Sequence, residues 1–378
     1  MRIWAGMALA ALASFMAVNT AEADTSPPTL QGAQQLVIAH IGGRYQAGTS
    51  LSRTSAGAAI ITVTATYQWP GAYFEGAFKG DEVTVRLKDG VNILKIFIDG
   101  NLHDTLNKPG EIIKTYKGLG EGQHIIRIER ATEDQSATST FEGFFAPAGP
   151  MLAIKPRARQ IEFIGDSYTV GYGNTSPKPS CTRDEVWATT DTTQAFGPLT
   201  AKHYDADYQI NAISGRGVVR NYGGFIADTL PQAYPYVLFD KQTKYDDPDW
   251  KPQIIVVGLG TNDFTTPLHD GEKWKTRDDL HKDYEATYVK FVQELRANNP
   301  HAWFILMATD QVDGEIQSEV NKVIAALQAA GESRIAFLPM NGLSFGGCDH
   351  HPTVADDKKV SDELIAFIDQ HPDIWQGQ

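Results

Sequence analysis

The sequence predicts a two-part fold, a small all-β domain followed by an α/β domain built on a parallel sheet. Three observations carry that expectation. Residues from about 30 to 147 alternate apolar and polar positions in short runs punctuated by Gly, Asp and Asn. Beyond the Pro-Ala-Gly-Pro run at 147–150, short apolar strands alternate with longer segments of helical period. The 378 residues also suffice for two domains, each large enough to bury its own core.

In chain order, the first segment is a targeting signal. A basic Arg2, an apolar run over 3–18 and the small-x-small site Ala21-Glu22-Ala23 make residues 1–23 a secretory signal peptide, so a secreted or periplasmic protein is expected. The apolar run is shorter than the ~20 residues a membrane-spanning helix needs. Between 30 and 148, strands are expected at 59–68, 82–87, 93–98 and 124–128. The turn signals Asp89-Gly90, Asp99-Gly100 and 118–122 fall at the spacing of a β-sandwich or jelly roll. From 152 to 375, strands are expected at 161–164, 208–213, 253–258, 303–308 and 335–338. Helices are expected at 284–298, 315–330 and 358–370. The Asp-, Lys- and Pro-rich stretch 236–252 reads as an exposed excursion before the central strand.

Charge narrows the partners. The formal charge is −13, from 33 basic and 46 acidic residues, and residues 24–150 hold 11 Lys/Arg against 13 Asp/Glu. Nearly all of the negative charge therefore sits on the α/β part. Nucleic acid and anionic membrane surfaces, which are bound through Lys/Arg clusters, are excluded as expected partners, and a monomer is expected.

The chemistry-bearing residues lie just after the expected strands. The first α/β strand runs into Gly165-Asp166-Ser167-Tyr168-Thr169 and then Gly171-Tyr172-Gly173. Ligands of open α/β sheets sit at the carboxyl ends of strands, so Ser167 is placed where chemistry happens, although a helix N-cap is its other reading. The second strand leads into Ser214-Gly215-Arg216-Gly217 and the third into Gly260-Thr261-Asn262-Asp263. Beyond the fifth comes Cys348-Asp349-His350-His351-Pro352. Together these motifs supply a serine, a backbone donor, an amide and a histidine, the parts acyl transfer requires.

In these four blocks the chain resembles the SGNH, or GDSL-type, hydrolase superfamily, through Ser167, Gly215, Asn262 and His351. The β-sandwich in front, the Gly-Asp-Ser opening with its Gly-Tyr-Gly-Asn continuation and the Cys-Asp-His-His-Pro ending are most similar to carbohydrate esterase family 2. The resemblance spans essentially the whole mature chain. It implies a flavodoxin-like five-stranded sheet behind a jelly roll. The activity it implies is that of an acetyl xylan esterase type of serine esterase, removing O-acetyl groups from plant polysaccharides or oligosaccharides such as xylan or glucomannan. Ser167 would be the nucleophile and His351 the base, with the oxyanion met by the Ser167 and Gly215 N–H groups and the Asn262 amide. No metal or organic cofactor is needed. The superfamily places an Asp three residues before the His, where this chain has Cys348. Asp349 is the candidate orienting acid, with a backbone carbonyl as the alternative; His350 is a lesser candidate for the base.

Around this core, Tyr172, Trp187, Tyr222 and Trp274 are candidate sugar platforms, with packing as their other reading. Arg216 is a candidate for sugar hydroxyls or for pairing with a carboxylate. His350 occupies a position that is often aromatic in the similar family. Glu133 reads as inter-domain glue. The only two cysteines, Cys181 and Cys348, are candidates to pair in an oxidising compartment, with two free buried thiols as the alternative. Asp349, His350 and His351 cannot wrap one metal ion, and Gly258-x-Gly260 lacks the third glycine of a dinucleotide loop. Two other functions remain: an esterase of the same machinery on other short-chain acyl esters or cell-surface glycans, and a non-catalytic carbohydrate-binding protein. The latter has no reason to keep all four motif residues. The acidic α/β surface suits neutral acetylated glycans better than acidic polymers.

Overall fold

The computed structural model describes residues 34–53 and 59–376, and the expected signal peptide at 1–23 lies outside them. The first part contains β1 (Gln34–Val37), β2 (Ala39–Gly42), β3 (Tyr45–Arg53), β4 (Ala59–Tyr67), β5 (Tyr73–Lys79) and β6 (Glu82–Asp89). After these come β7 (Ile93–Ile98), β8 (Asn101–Asn107), β9 (Gly110–Lys117), β10 (Gln123–Arg130) and β11 (Ser139–Pro147). They form two antiparallel sheets, β3-β4-β11-β6-β9 with β1 also on β11, and β2-β5-β10-β7-β8. The jelly-roll core follows from alternation: Val83, Val85 and Leu87 of β6 and Ile126 and Ile128 of β10 point inward, while Ile125 points out. Asp99-Gly100 makes the hairpin expected of it. Both residues have positive φ, at 51° and 79°, the type I′ turn whose twist matches the strands it joins.

The second part carries β12 (Arg159–Gly165), β13 (Ala206–Ala212), β14 (Ile254–Gly258), β15 (Trp303–Thr309) and β16 (Ile335–Met340). They make one five-stranded sheet in the order β13-β12-β14-β15-β16, and every neighbouring pair is parallel. Its helices are α1 (Ser167–Val170), α2 (Arg183–Thr189), α3 (Phe196–His203), α4 (Leu230–Ala233), α5 (Thr261–Phe264), α6 (Arg277–Asn298), α7 (Glu315–Ala329) and α8 (Val354–Asp369). α6 and α7 cover one face of the sheet, and α3 and α8 cover the other. Because chain order reverses between β12 and β14, a crevice opens at their carboxyl ends. The four motif loops gather there.

Helix starts differ from the expected ones for a local reason. α6 begins seven residues earlier, capped by Thr276 and Asp279 in a reciprocal box, and α8 begins at Val354 behind a Thr353–Asp356 box. Their first turns are acidic and carry little apolar periodicity.

The sandwich does not sit apart. Trp69, 1% exposed, belongs to the α6–α7 core and Tyr73 to the α3–α8 core. Arg44 Nη2 pairs with Glu162 Oε1 at 3.2 Å, both fully buried, so losing either partner would strand a buried charge at about 3–5 kcal/mol. Arg157 bridges Glu75, Asp205 and Asp207 across the same junction. Among the described residues no helix is long and apolar enough to cross a membrane.

Candidate active site

Ser167 is the first residue of α1, directly after β12, and is 5% exposed. Asp166 caps the helix, its Oδ1 accepting from Tyr168 N–H at 3.1 Å. Its Oδ2 accepts from Asn262 Nδ2 at 3.0 Å. One carboxylate thus joins the serine turn after β12 to the asparagine turn after β14. Asn262 Nδ2 donates also to Arg216 O at 2.9 Å, which brings in the turn after β13. Burial pushes Asp166 up to about 7 and the neighbouring Asp263 up to about 6. Asp263 holds the next loop by accepting from the Val218, Val219 and Arg220 N–H groups. Gly215 has φ +82°, which a side chain would oppose. The backbone N–H groups of Ser167 and Gly215 have no acceptor among the described residues.

The histidine comes from the opposite side. His351 Nε2 lies 2.8 Å from Ser167 Oγ. Its Nδ1 faces two backbone carbonyls, Cys348 O at 2.9 Å and Asp349 O at 3.2 Å. Both carbonyls turn toward the ring because Asp349 and His350 take left-handed conformations, with φ of 50° and 57°. The expected contact between His351 and the Asp349 carboxylate is therefore not made. Asp349 Oδ2 accepts from the Tyr172 hydroxyl at 2.9 Å instead, and the Tyr172 ring lies on the imidazole with centroids 4.3 Å apart. Tyr168 meets the imidazole edge-on at 5.3 Å. Burial among these rings is the main cause that brings His351 down to about 4, against the two carbonyls, which favour its charged form. At neutral pH the imidazole is uncharged and able to accept a proton.

The serine and histidine loops are pinned together away from the chemistry. Cys181 and Cys348 form a disulfide across 167 residues of sequence. Cys348 N–H donates to Gly173 O at 3.1 Å, and Gly173 sits so close that a Cβ there would meet Cys348 Cβ at 2.3 Å. Asn174 adds Nδ2 donations to Asp191 O at 3.1 Å and Asp357 Oδ2 at 2.9 Å. This explains the Gly-Tyr-Gly-Asn run after the serine. Gly173 docks the His351 loop, Asn174 ties the run to Asp191 and to α8, and Tyr172 covers the imidazole.

The other expected residues divide. Arg216 is half-buried beside Gly215, donating to Asp228 O and to Gln135. His350 is exposed next to His351. Tyr222 is 56% exposed, and its N–H donates to Gly215 O. Trp187 and Trp274 need correction as sugar platforms. The Trp187 indole N–H is held by Val91 O of the sandwich at 2.8 Å, and Lys108 Nζ covers its ring at 3.9 Å. Trp274 packs on the α6 core with its indole N–H on Asp283 and Lys273 over its ring. Phe225 and Ile226, exposed beside the loop that carries Gly215, had no motif to mark them in the sequence. They follow Tyr222 in a stretch without periodicity, where only the exposed apolar cluster itself was a signal. Gln135, whose side chain reaches Ser214 O, carried none.

Residues 163–372 match the GDSL-like Lipase/Acylhydrolase family and residues 61–156 match the Carbohydrate esterase 2 N-terminal domain. An acetylxylan esterase / glucomannan deacetylase of Cellvibrio japonicus is 47% identical over 89% of this chain and 92% of its own. The solved structure of a carbohydrate esterase, described as displaying divergent catalytic and non-catalytic binding functions at its active site, is similar with a TM-score of 0.84. It is 45% identical and covers 90% of this chain and 100% of its own. A family two carbohydrate esterase from Clostridium thermocellum, solved in complex with cellohexaose, is 27% identical with a TM-score of 0.73. It covers 89% of this chain and 100% of its own.

Proposed function

This chain belongs to the GDSL-like acylhydrolases, in the carbohydrate esterase 2 branch, and from that premise we propose that it is a serine deacetylase of acetylated plant polysaccharides of the xylan and glucomannan class. The observation that carries the mechanism is the 2.8 Å contact between Ser167 Oγ and an uncharged His351 at the sheet's switch point. His351 Nε2 takes the hydroxyl proton as Oγ attacks the acetyl carbonyl carbon. The oxyanion that forms meets the Ser167 and Gly215 N–H groups and the Asn262 Nδ2–H that turns to it from Arg216 O, the other Nδ2–H staying on Asp166, each donor worth about 2.7–4 kcal/mol in comparable sites. His351 returns the proton to the departing sugar oxygen, leaving an acetyl ester on Ser167. Water, deprotonated by the same imidazole, then attacks that ester; the Oγ–acyl bond breaks, the imidazolium returns the proton to Ser167 Oγ, and the acetyl group leaves as acetic acid, which ionises to acetate.

The Cys348 and Asp349 carbonyls take the part that a carboxylate plays in a triad: they hold the Nδ1–H tautomer and steady the imidazolium when it forms. Tyr172, Arg216 and His350 stand beside the Ser167–His351 pair as contacts for the sugar, and the C. thermocellum relative solved in complex with cellohexaose supports a glycan as the ligand. The signal-peptide pattern of residues 1–23 supports action outside the cytoplasm. The substrate reading is tested by acetate release from acetylated xylan and acetylated glucomannan, alongside butyryl and longer esters of the same glycans. Acetyl esters are expected to be the better substrates, and a preference for butyryl or longer chains would overturn the assignment.

A further inference from the structure

The Gly215 N–H belongs to the peptide joining Ser214 to Gly215. In a trans peptide the N–H and C=O point opposite ways, so whatever holds the Ser214 carbonyl aims the Gly215 N–H. That carbonyl accepts from Gln135 Nε2 at 3.0 Å, and Gln135 belongs to the jelly roll. The other end of the same amide, Gln135 Oε1, accepts from Arg216 Nη2 at 3.3 Å. Glu133 Oε1 accepts from Ser214 N–H at 2.8 Å and from Gln135 Nε2 at 3.3 Å. Ser214 and Arg216, the residues on either side of Gly215, are thus both held from one loop, between β10 and β11.

The loop is built to hold them. Asp134 Oδ1 accepts from Ser136 N–H at 2.9 Å and Ala137 N–H at 2.6 Å. Arg130 Nε donates to Thr132 O at 2.8 Å, and Thr132 Oγ1 accepts from Ile93 N–H at 2.9 Å. Ala131 O accepts from Thr192 N–H of the hydrolase part at 2.8 Å. Inter-domain glue alone would need no donor on a carbonyl one bond from the oxyanion N–H.

We propose that Gln135, seated by Glu133, is a positioning residue of the oxyanion hole, so that the jelly-roll domain sets the aim of the Gly215 N–H. Donation into the Ser214 carbonyl also polarises that peptide and strengthens its N–H as a donor to the developing oxyanion. The inference rests on the reading of Ser167 as nucleophile. It assigns the front domain a part in catalysis rather than in polysaccharide capture.

The test uses the whole protein, 4-nitrophenyl acetate, and the variants Gln135→Met, Glu133→Ala and Glu133→Gln, with kcat, KM and the thermal midpoint measured separately. Phenylboronic acid, whose tetrahedral adduct on Ser167 places an oxygen where the oxyanion forms, reports on the hole itself. Gln135→Met, similar in length but without a donor, is expected to lower kcat about 10- to 100-fold with KM within about twofold, and to weaken the boronate in proportion. Glu133→Gln keeps an acceptor for Ser214 and is expected to retain at least about fivefold more kcat than Glu133→Ala. A kcat within about twofold of wild type in Gln135→Met, or a raised KM at unchanged kcat, would overturn the positioning role. Gln135 is exposed, so its variant decides the matter even where Glu133→Ala fails to fold. Ser167→Ala runs in parallel: turnover persisting there refutes the serine reading. Turnover lost there but kept in Gln135→Met refutes only the positioning role.

Discussion

The two sides of the candidate site are built by different means. The serine side stands on the ends of β12, β13 and β14, three adjacent strands, and is tied by side chains, above all the Asp166 carboxylate shared between Tyr168 N–H and Asn262. The histidine side hangs in a loop beyond β16 and is tied by backbone: two carbonyls on Nδ1, two consecutive left-handed residues, and the Cys348 N–H on Gly173 O. Strand ends are rigid because every strand is hydrogen-bonded on the sheet. A loop needs added constraints to be as rigid, and here they are the disulfide and the ring of Tyr172. Side chains on the serine side are therefore expected to be costly to change, whereas much of the histidine side tolerates side-chain substitution.

Ser167→Ala marks the extreme of that contrast: removing the nucleophile should lower 4-nitrophenyl acetate turnover by about 10⁴-fold or more with the fold intact. Asn262→Ala, also on the strand-end side, should lower kcat about 10²–10³-fold, because the proposed oxyanion donor and the clamp to Asp166 are lost together. A loss within tenfold of wild type, by ~1.4 kcal/mol or less, would mean the amide does not face the oxyanion.

The histidine side is probed next by pH. His351 must be uncharged to act as base, and its value is brought from 6.5 to about 4, so the neutral form persists as pH falls and activity is lost only through about pH 4. The acid limb of kcat/KM on 4-nitrophenyl acetate, recorded from about pH 3 to about pH 9, checks this. A midpoint at the ordinary histidine value would show that the rings do not shield the imidazole. The smallest effect is expected at Asp349. Its carboxylate holds Tyr172 rather than His351, so Asp349→Asn should cost less than about tenfold in kcat, against about 10⁴-fold for the acid of a true triad. A loss of the larger size would put the carboxylate on the imidazole and erase the difference between the two sides.

How much was legible follows the same line. Ser167, Gly215 and Asn262 follow strands whose apolar runs are unmistakable, so their convergence could be read from chain order and the rule that sites lie at strand carboxyl ends. His351 was legible from its motif. The group on its Nδ1 stayed open between the Asp349 carboxylate and a backbone carbonyl, because backbone carbonyls leave no mark on residue type, and the left-handed pair Asp349-His350 is set by the loop's closure on Gly173. Trp187 and Trp274 misled for the opposite reason: an indole looks the same in sequence whether its face is open to a sugar or covered by Lys108 or Lys273.

The sequence by itself determined the two fold classes, the order of the strands along the chain, the four chemistry-bearing motifs and the acidic balance. These are properties of periodicity, turn chemistry and composition, which act over a few residues. Only the tertiary structure decided the strand order that makes the crevice, the carbonyl contacts of His351, the attachment of Asp349 to Tyr172, and the reach of Glu133 and Gln135 from the jelly roll to the turn at Gly215. Each of these joins groups distant in sequence, and the directions of hydrogen bonds across such distances are set by how the layers pack.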